Sequence, residues 1–360
     1  ARFNYETMRM EMTNFMTILF NPDAQAKFVH TVSAGYVTGA AFVLAISSWY
    51  LLRGRNVEFA RKSFRIAAAF GFASVCSVIV LGDESGYTVG EAQQTKMAAI
   101  EAIWHTEPAP ASLKLVAIIN EKEMKNDWEL SVPWVMGLIG TRSIDKTLPG
   151  IHEILVKNRE RVVSGIDAVR ALDTLRHNRQ DQAALAQLKA HEADLGFGFL
   201  LRRYVKTMDE VTPEIIDKAT RDTIPRVTPL FWAFRFMVGL GFGMLALFGL
   251  SLYFSVKGCF AKRRWLLRAA LLFLPAPWLA CELGWFVAEY GRQPWTIYGV
   301  LPTHMSASTL SVGSLYGSLA GFVGFYTVLL IVELYLMIRF ARLGPGSLGT
   351  GRYDNEVQHG

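Results

Sequence analysis

Cysteine is scarce in this 360-residue chain: there are three, Cys76, Cys259 and Cys281, with no CxxC pair and no metal-ligand spacing. Two lie within apolar runs and the third follows one, which argues against disulfides and cysteine-held clusters. Histidine is also sparse, seven in all, and only His30 falls inside an apolar run. The first 27 residues lack the basic start, apolar core and cleavage site of a signal peptide. Internal repeats are absent, as is any groove-reading motif. The net charge of +6 and pI near 9.2 therefore do not point to nucleic acid.

What is abundant is apolar surface. Hydrophobic residues make up 51% of the chain and aromatics 12%, and the mean hydropathy is +0.24, too apolar for an ordinary water-soluble protein of this length. Five runs of about 20 mostly apolar residues occur, roughly 28 to 52, 63 to 82, 228 to 256, 265 to 289 and 311 to 338. The second is the shortest. Between it and the third lies a polar segment, roughly 83 to 225, far too long for a bundle turn, with helical character around 91 to 104 and 151 to 194. The pattern predicts an all-α, polytopic membrane helix bundle of about five transmembrane helices, carrying a long outer loop with helical segments. It divides as an outer segment 1–27, a transmembrane pair 28–82, the long loop 83–227, three transmembrane helices 228–341 and a cytoplasmic tail 342–360.

Orientation follows from the basic clusters, because positive charge is retained on the inside. Arg53, Arg55, Arg61 and Lys62 follow the first span, Lys257, Lys262, Arg263, Arg264 and Arg268 separate the third from the fourth, and Arg339 and Arg342 close the fifth. All three clusters fall on one side. The start, the long loop and the segment 290–310 are then expected outside. An outer start ahead of a long first span needs something upstream to carry it across, so the chain is expected to be part of a longer or split protein.

That topology brings three ligand-type side chains to similar depth near the outer face: His30, Met237 and Glu289. His30 precedes Ser33, Ala34, Gly35 and Gly39, small residues that let a neighbouring helix or a flat macrocycle approach. It reads either as a hydrogen-bonded core histidine or as an iron ligand. Met237, alone, reads as core filler. Arg235, two residues earlier, is costly in hydrocarbon and needs an anionic partner, a part that a haem propionate would fill. Glu282, Trp285 and Glu289 share one helical stripe, with Arg292 just beyond. The two acids pair with neighbouring helices, relay protons or ligate iron. Taken together, His30, Met237 and Glu289 read as haem-iron ligands of a membrane redox protein. In the loop, Asp83 and Glu84 are expected to leave the second span, and Lys96 and Glu101 to ride an amphipathic helix. These residues form either a solvated face or a quinol pocket in which a carboxylate accepts protons and Lys96 holds a quinone oxygen.

The runs FNYETMRMEM, KFVHT, VLGDESGY, TKMAAIEA, IPRV, FRFM, GWFVAEYGRQPW and RFARLGP-SLGTGRY, in that order, resemble subunit I of the cytochrome bd quinol oxidases over essentially the whole chain. The resemblance implies a bacterial inner-membrane terminal oxidase that oxidises quinol at the outer face and reduces oxygen to water, with a low-spin haem b, a high-spin haem b and haem d. By motif, His30 and Met237 would ligate the low-spin haem, Glu289 would be a ligand or close neighbour of a high-spin haem iron, and Trp285 would pack between haems. Lys96, Glu101 and Asp83 would belong to the quinol site, and Arg235 and Arg292 would face propionates. A second large subunit and small single-helix subunits would be partners. The family's subunit carries about four further helices ahead of the matching region, with a histidine and an acid serving the high-spin centre, so this chain alone is expected to lack oxidase activity. A non-catalytic haem-binding fragment is the alternative. A secondary transporter is a weaker one, lacking paired broken helices, and a bis-histidine dihaem cytochrome b would need several histidines on its spans.

Overall fold

The computed structural model describes residues 2–4, 9–12 and 14–348. Five stretches are long and apolar enough to cross a membrane. They are helix α2 (Pro22–Arg53), α3 (Val57–Ala92), α9 (Val227–Val256), the broken pair α10 (Arg264–Leu272) and α11 (Ala276–Tyr290), and α12 (Val312–Leu343). Each exceeds the 20 or so residues that a 30 Å hydrocarbon layer requires. Pro275 and Pro277 explain the break in the fourth, since proline withholds a backbone N–H and clashes with the preceding turn. Gly54 ends α2 at φ +67°, with Arg55 N–H donating back to the Tyr50 carbonyl, a left-handed cap that glycine adopts without a Cβ penalty.

A short hairpin, β1 (Arg2–Asn4) with β2 (Arg9–Glu11), and helix α1 (Phe15–Leu19) precede α2. Residues 1, 5–8 and 13 of the N-terminal segment, and 349–360 of the expected tail, lie outside the described residues.

The long loop departs from expectation in two places. Helix α3 does not end near residue 82: it continues to Ala92, so Asp83 and Glu84 lie within it. Hydropathy marks where apolar side chains stop, whereas helical hydrogen bonding persists until Gln93, which separates α3 from α4 (Gln94–Ile100). The expected helix to 104 stops at Ile100, because Ala102 turns left-handed at φ +51°. The second departure is an antiparallel hairpin, β3 (Leu113–Asn120) with β4 (Lys125–Val132), in a segment read only for helices. Beyond it come α5 (Ile151–His177), α6 (Gln182–His191), α7 (Leu195–Leu201) and α8 (Pro213–Asp222).

The described residues form two compact units. The first comprises Ala1–Ser33, Ser77–Gly239 and Leu279–Ala307, and it contains every candidate site residue. Its helical lobe closes around Leu172, Leu175, Leu188, Phe197 and Leu201, and Trp295, from the hairpin β5 (Trp295–Ile297) with β6 (Leu301–Pro302), packs against Phe197 at 5.0 Å. Helices α5 and α7 cross at Gly165 and Gly198, where a Cβ on Gly165 would fall 2.3 Å from the Gly198 nitrogen. A second cluster packs α4 and the start of α5 against α9 and α11 through Ala98, Ile151, Phe231 and Val287. The other unit comprises Ala34–Cys76, Leu240–Trp278 and Ser308–Gly360. There Phe64 stacks on Phe260 at 4.6 Å, and the Tyr50 hydroxyl donates to the Ala341 carbonyl at 2.6 Å.

Candidate functional site

His30 lies on α2 against α3. A Cβ on Gly82 would approach the imidazole Cε1 to 3.4 Å, which places the ring against the backbone of α3 at that position. Three residues on, the Ser33 and Ser77 hydroxyls meet at 3.2 Å and tie the same two helices. The His30 ring is partly buried and lies near the Val78 backbone, and its Nδ1 makes no hydrogen bond of full geometry.

Met237, on α9, packs against α11. Its sulfur would lie 3.1 Å from a Cβ on Gly284, the residue between Leu283 and Trp285. Arg235, two residues earlier and so on nearly the opposite side of α9, points into the loop. Its guanidinium donates to both oxygens of the Glu101 carboxylate, at 2.6 and 3.4 Å, and twice to the Lys114 carbonyl, at 2.6 and 2.8 Å. It also lies over the Phe231 ring at 4.3 Å. The side chains of Arg235 and Glu101 are 11% and 5% exposed, so this is a buried pair. Glu101 is thus a protein carboxylate that partners Arg235, and it faces this arginine and not open solvent.

On α11 the stripe divides. Glu282 and Trp285 are exposed, whereas Glu289 is partly buried and accepts from Arg292 at 3.0 Å. Arg292 thus pairs with the acid three residues before it. Lys96, 7% exposed on α4, donates to the Ala288 carbonyl at 3.1 Å, which brings α4 to the turn that carries Glu289. The expected amphipathic helix is instead a buried one, since every residue of Thr95–Ile100 is buried. Asp83, with Glu84, accepts from Arg142 at 3.3 and 2.6 Å. The structure thus joins Arg235 to Glu101 and Lys96 to the Glu289 turn, and engages Asp83 with a different base. Sequence reading missed Arg142, Lys114, Gly82 and Gly284; a lone glycine in an apolar helix was the available signal for the last two.

Around Arg226 and Thr228 the hairpin reaches the start of α9. Glu121, in the β3–β4 turn, accepts the Thr228 N–H at 2.8 Å and Arg226 at 3.5 Å. Burial pushes its carboxyl upward, but the Thr228 and Arg226 contacts outweigh it and leave it below the usual value.

Among the described residues no group of three His, Cys, Asp or Glu side chains is placed to hold an ion by itself. Imidazole and thioether are donor types that can ligate haem iron axially, and the buried imidazole Nδ1 of His30 is compatible with such a group.

Residues 1–345 match the family model described as cytochrome bd terminal oxidase subunit I. Cytochrome bd-II ubiquinol oxidase subunit 1 of Escherichia coli (strain K12) is 43% identical over 348 residues, which is 97% of this chain and 68% of that protein. Cytochrome bd ubiquinol oxidase subunit 1 of Bacillus subtilis (strain 168) is 27% identical over 367 residues, covering 99% of this chain and 66% of that one. In fold, the chain is similar to the bd oxidase structure from Geobacillus thermodenitrificans, with a TM-score of 0.66 at 21% identity over 95% of this chain and 63% of that one. The chain spans about two thirds of the length of these relatives.

Proposed function

This chain belongs to the cytochrome bd terminal oxidase subunit I family, and from that premise we propose that it carries the electron-entry half of a quinol oxidase. The family is one of haem-containing quinol oxidases of the bacterial inner membrane. On our reading, His30 and Met237 are the axial ligands of a low-spin haem b, and Glu289 serves a high-spin haem b beside haem d. Bound haem would supply one-electron chemistry at a potential that mixed His/Met ligation raises. Lys96, Glu101 and Asp83 border the quinol, with Lys96 offering its ammonium to a quinone oxygen and Glu101 accepting a proton as the quinol is oxidised. Arg235 fixes the direction in which the Glu101 carboxylate faces. Trp285 and Glu282 present an exposed aromatic and an exposed acid to what lies beyond the Glu289 turn.

In this scheme the long loop lies outside and the C-terminal tail in the cytoplasm, so quinol protons leave on the outer side while those consumed in water formation come from within. Quinol, oxygen, a second large subunit and small single-helix subunits are the partners in this scheme.

One observation carries the reading: Arg235 joins Glu101, in the loop, to the helical turn that bears Met237. It brings the proposed proton acceptor and the proposed iron ligand onto one support. The test is a reduced-minus-oxidised spectrum of the purified protein beside His30→Ala and Met237→Ala. Loss of a low-spin b-type signal in both is expected; its persistence in either variant overturns the ligand assignment.

A further inference from the structure

Lys114 and Glu107 form an ion pair in the loop that the proposed reaction does not use. The Lys114 side chain is 4% exposed and that of Glu107 22%. Glu107 is held from behind, since its second oxygen accepts both the backbone N–H and the hydroxyl of Ser112 at 3.1 Å. Lys114 faces two ways: its ammonium meets Glu107, and its carbonyl accepts two N–H groups of Arg235. Four charged side chains, Arg235, Glu101, Lys114 and Glu107, therefore lie in one largely buried chain of contacts, and their formal charges sum to zero.

We propose that the neutrality of this quartet, which Lys114 and Glu107 complete, sets the potential of the haem bound at Met237. The proposal rests on the Met237 assignment above. Its physical basis is that a buried charge left without its partner is poorly screened, so its field reaches much farther than that of a surface charge. Reduction adds an electron to the haem, and a positive excess nearby favours the reduced form. Neutralising Glu107 leaves the Lys114 ammonium in excess. Neutralising Lys114 leaves the Glu107 carboxylate in excess. The two changes act with opposite sign at the same place, and making both restores neutrality. A purely structural role would move both single variants in the same direction, through loosened contacts at the Lys114 carbonyl.

The test is a redox titration of the low-spin haem band in the complete, purified oxidase, comparing wild type with Glu107→Gln, Lys114→Met, Lys114→Arg and the double variant Glu107→Gln/Lys114→Met. The midpoint potential is expected to rise in Glu107→Gln, to fall in Lys114→Met, and to return to the wild-type value in Lys114→Arg and in the double variant. Unchanged potentials in both single variants, or shifts of the same sign, overturn the proposal. A haem lost from either single variant and also from the double variant does the same, because removing a whole buried pair leaves no unpaired charge. His30→Ala and Met237→Ala in the same preparation test the premise separately. Retained signal there sinks the ligand assignment, whereas lost signal there with unmoved potentials in the Glu107 and Lys114 variants sinks only this inference.

Discussion

Arg235 and Glu101 are 134 residues apart in the chain, and their side chains meet at 2.6 Å. Both are nearly shielded from solvent, so the pair must justify the desolvation of two charges, and it does so by near-complete hydrogen bonding of the guanidinium. The contact fixes the loop to α9 two residues from Met237.

Breaking such a pair from one side leaves a buried charge unmatched, at a cost of about 3–5 kcal/mol. Glu101→Ala should therefore lower the melting temperature of the purified protein and its haem content. Glu101→Gln also leaves the guanidinium without its counter-charge but keeps an acceptor for it, so it should be destabilised less than Glu101→Ala, keep more of the haem and lose quinol oxidation. Equal behaviour of the two variants in melting and haem content would count against this account.

The glycines facing the candidate ligands make a second prediction. A Cβ at Gly82 would sit in ordinary contact with the His30 ring, so Gly82→Ala should keep the low-spin signal, while the branched side chain of Gly82→Leu should displace the ring and abolish it. At Gly284 the Met237 sulfur is closer, at 3.1 Å, and the flexible thioether has to give way. Gly284→Ala should lower the midpoint potential of that haem, as weakened methionine ligation would. Redox titration of the three variants reads all these outcomes.

The membrane helices were legible because an apolar run of 20 residues has few alternatives in a folded chain. The extension of α3 to Ala92 was not, since residues 83–92 are polar and their helical state rests on backbone hydrogen bonds that hydropathy does not register. The hairpin β3–β4 was legible in principle from the short Val- and Ile-containing apolar run LKLVAIIN, but the helical periodicity on either side set the reading of the loop. At the site, Arg235 announced itself as a buried cation that needed an acid. Which acid was beyond reach, because Glu101 and Arg235 meet only through tertiary folding. The same holds for Asp83, whose partner Arg142 lies 59 residues away on the loop.

The chain spans 68% of the length of its Escherichia coli relative. The purified chain, supplied with haem and a reduced quinol but no other protein, is expected to consume no oxygen above the uncatalysed rate. Oxygen uptake abolished by Met237→Ala would show that these 360 residues suffice.

Glu121 supplies a pH-dependent contribution. It accepts the N–H of Thr228, the second residue of α9, and so places a carboxylate at the positive end of that helix. The folded carboxyl sits below its ordinary value of 4.5, because the Thr228 and Arg226 contacts outweigh the upward push of burial. A carboxyl with a depressed folded value binds its proton more weakly than the unfolded chain does. The cap is therefore fully stabilising above pH 4.5 and fades as the pH falls through the lower, folded value. A capping interaction of this kind contributes about 1 kcal/mol. Glu121→Gln should melt about one to two degrees below wild type at pH 7, with the gap closing as the pH is lowered beneath 4.5. Melting curves of both proteins in detergent across that range decide the matter, and a gap that stays constant with pH would assign the effect to packing of the side chain and not to its charge.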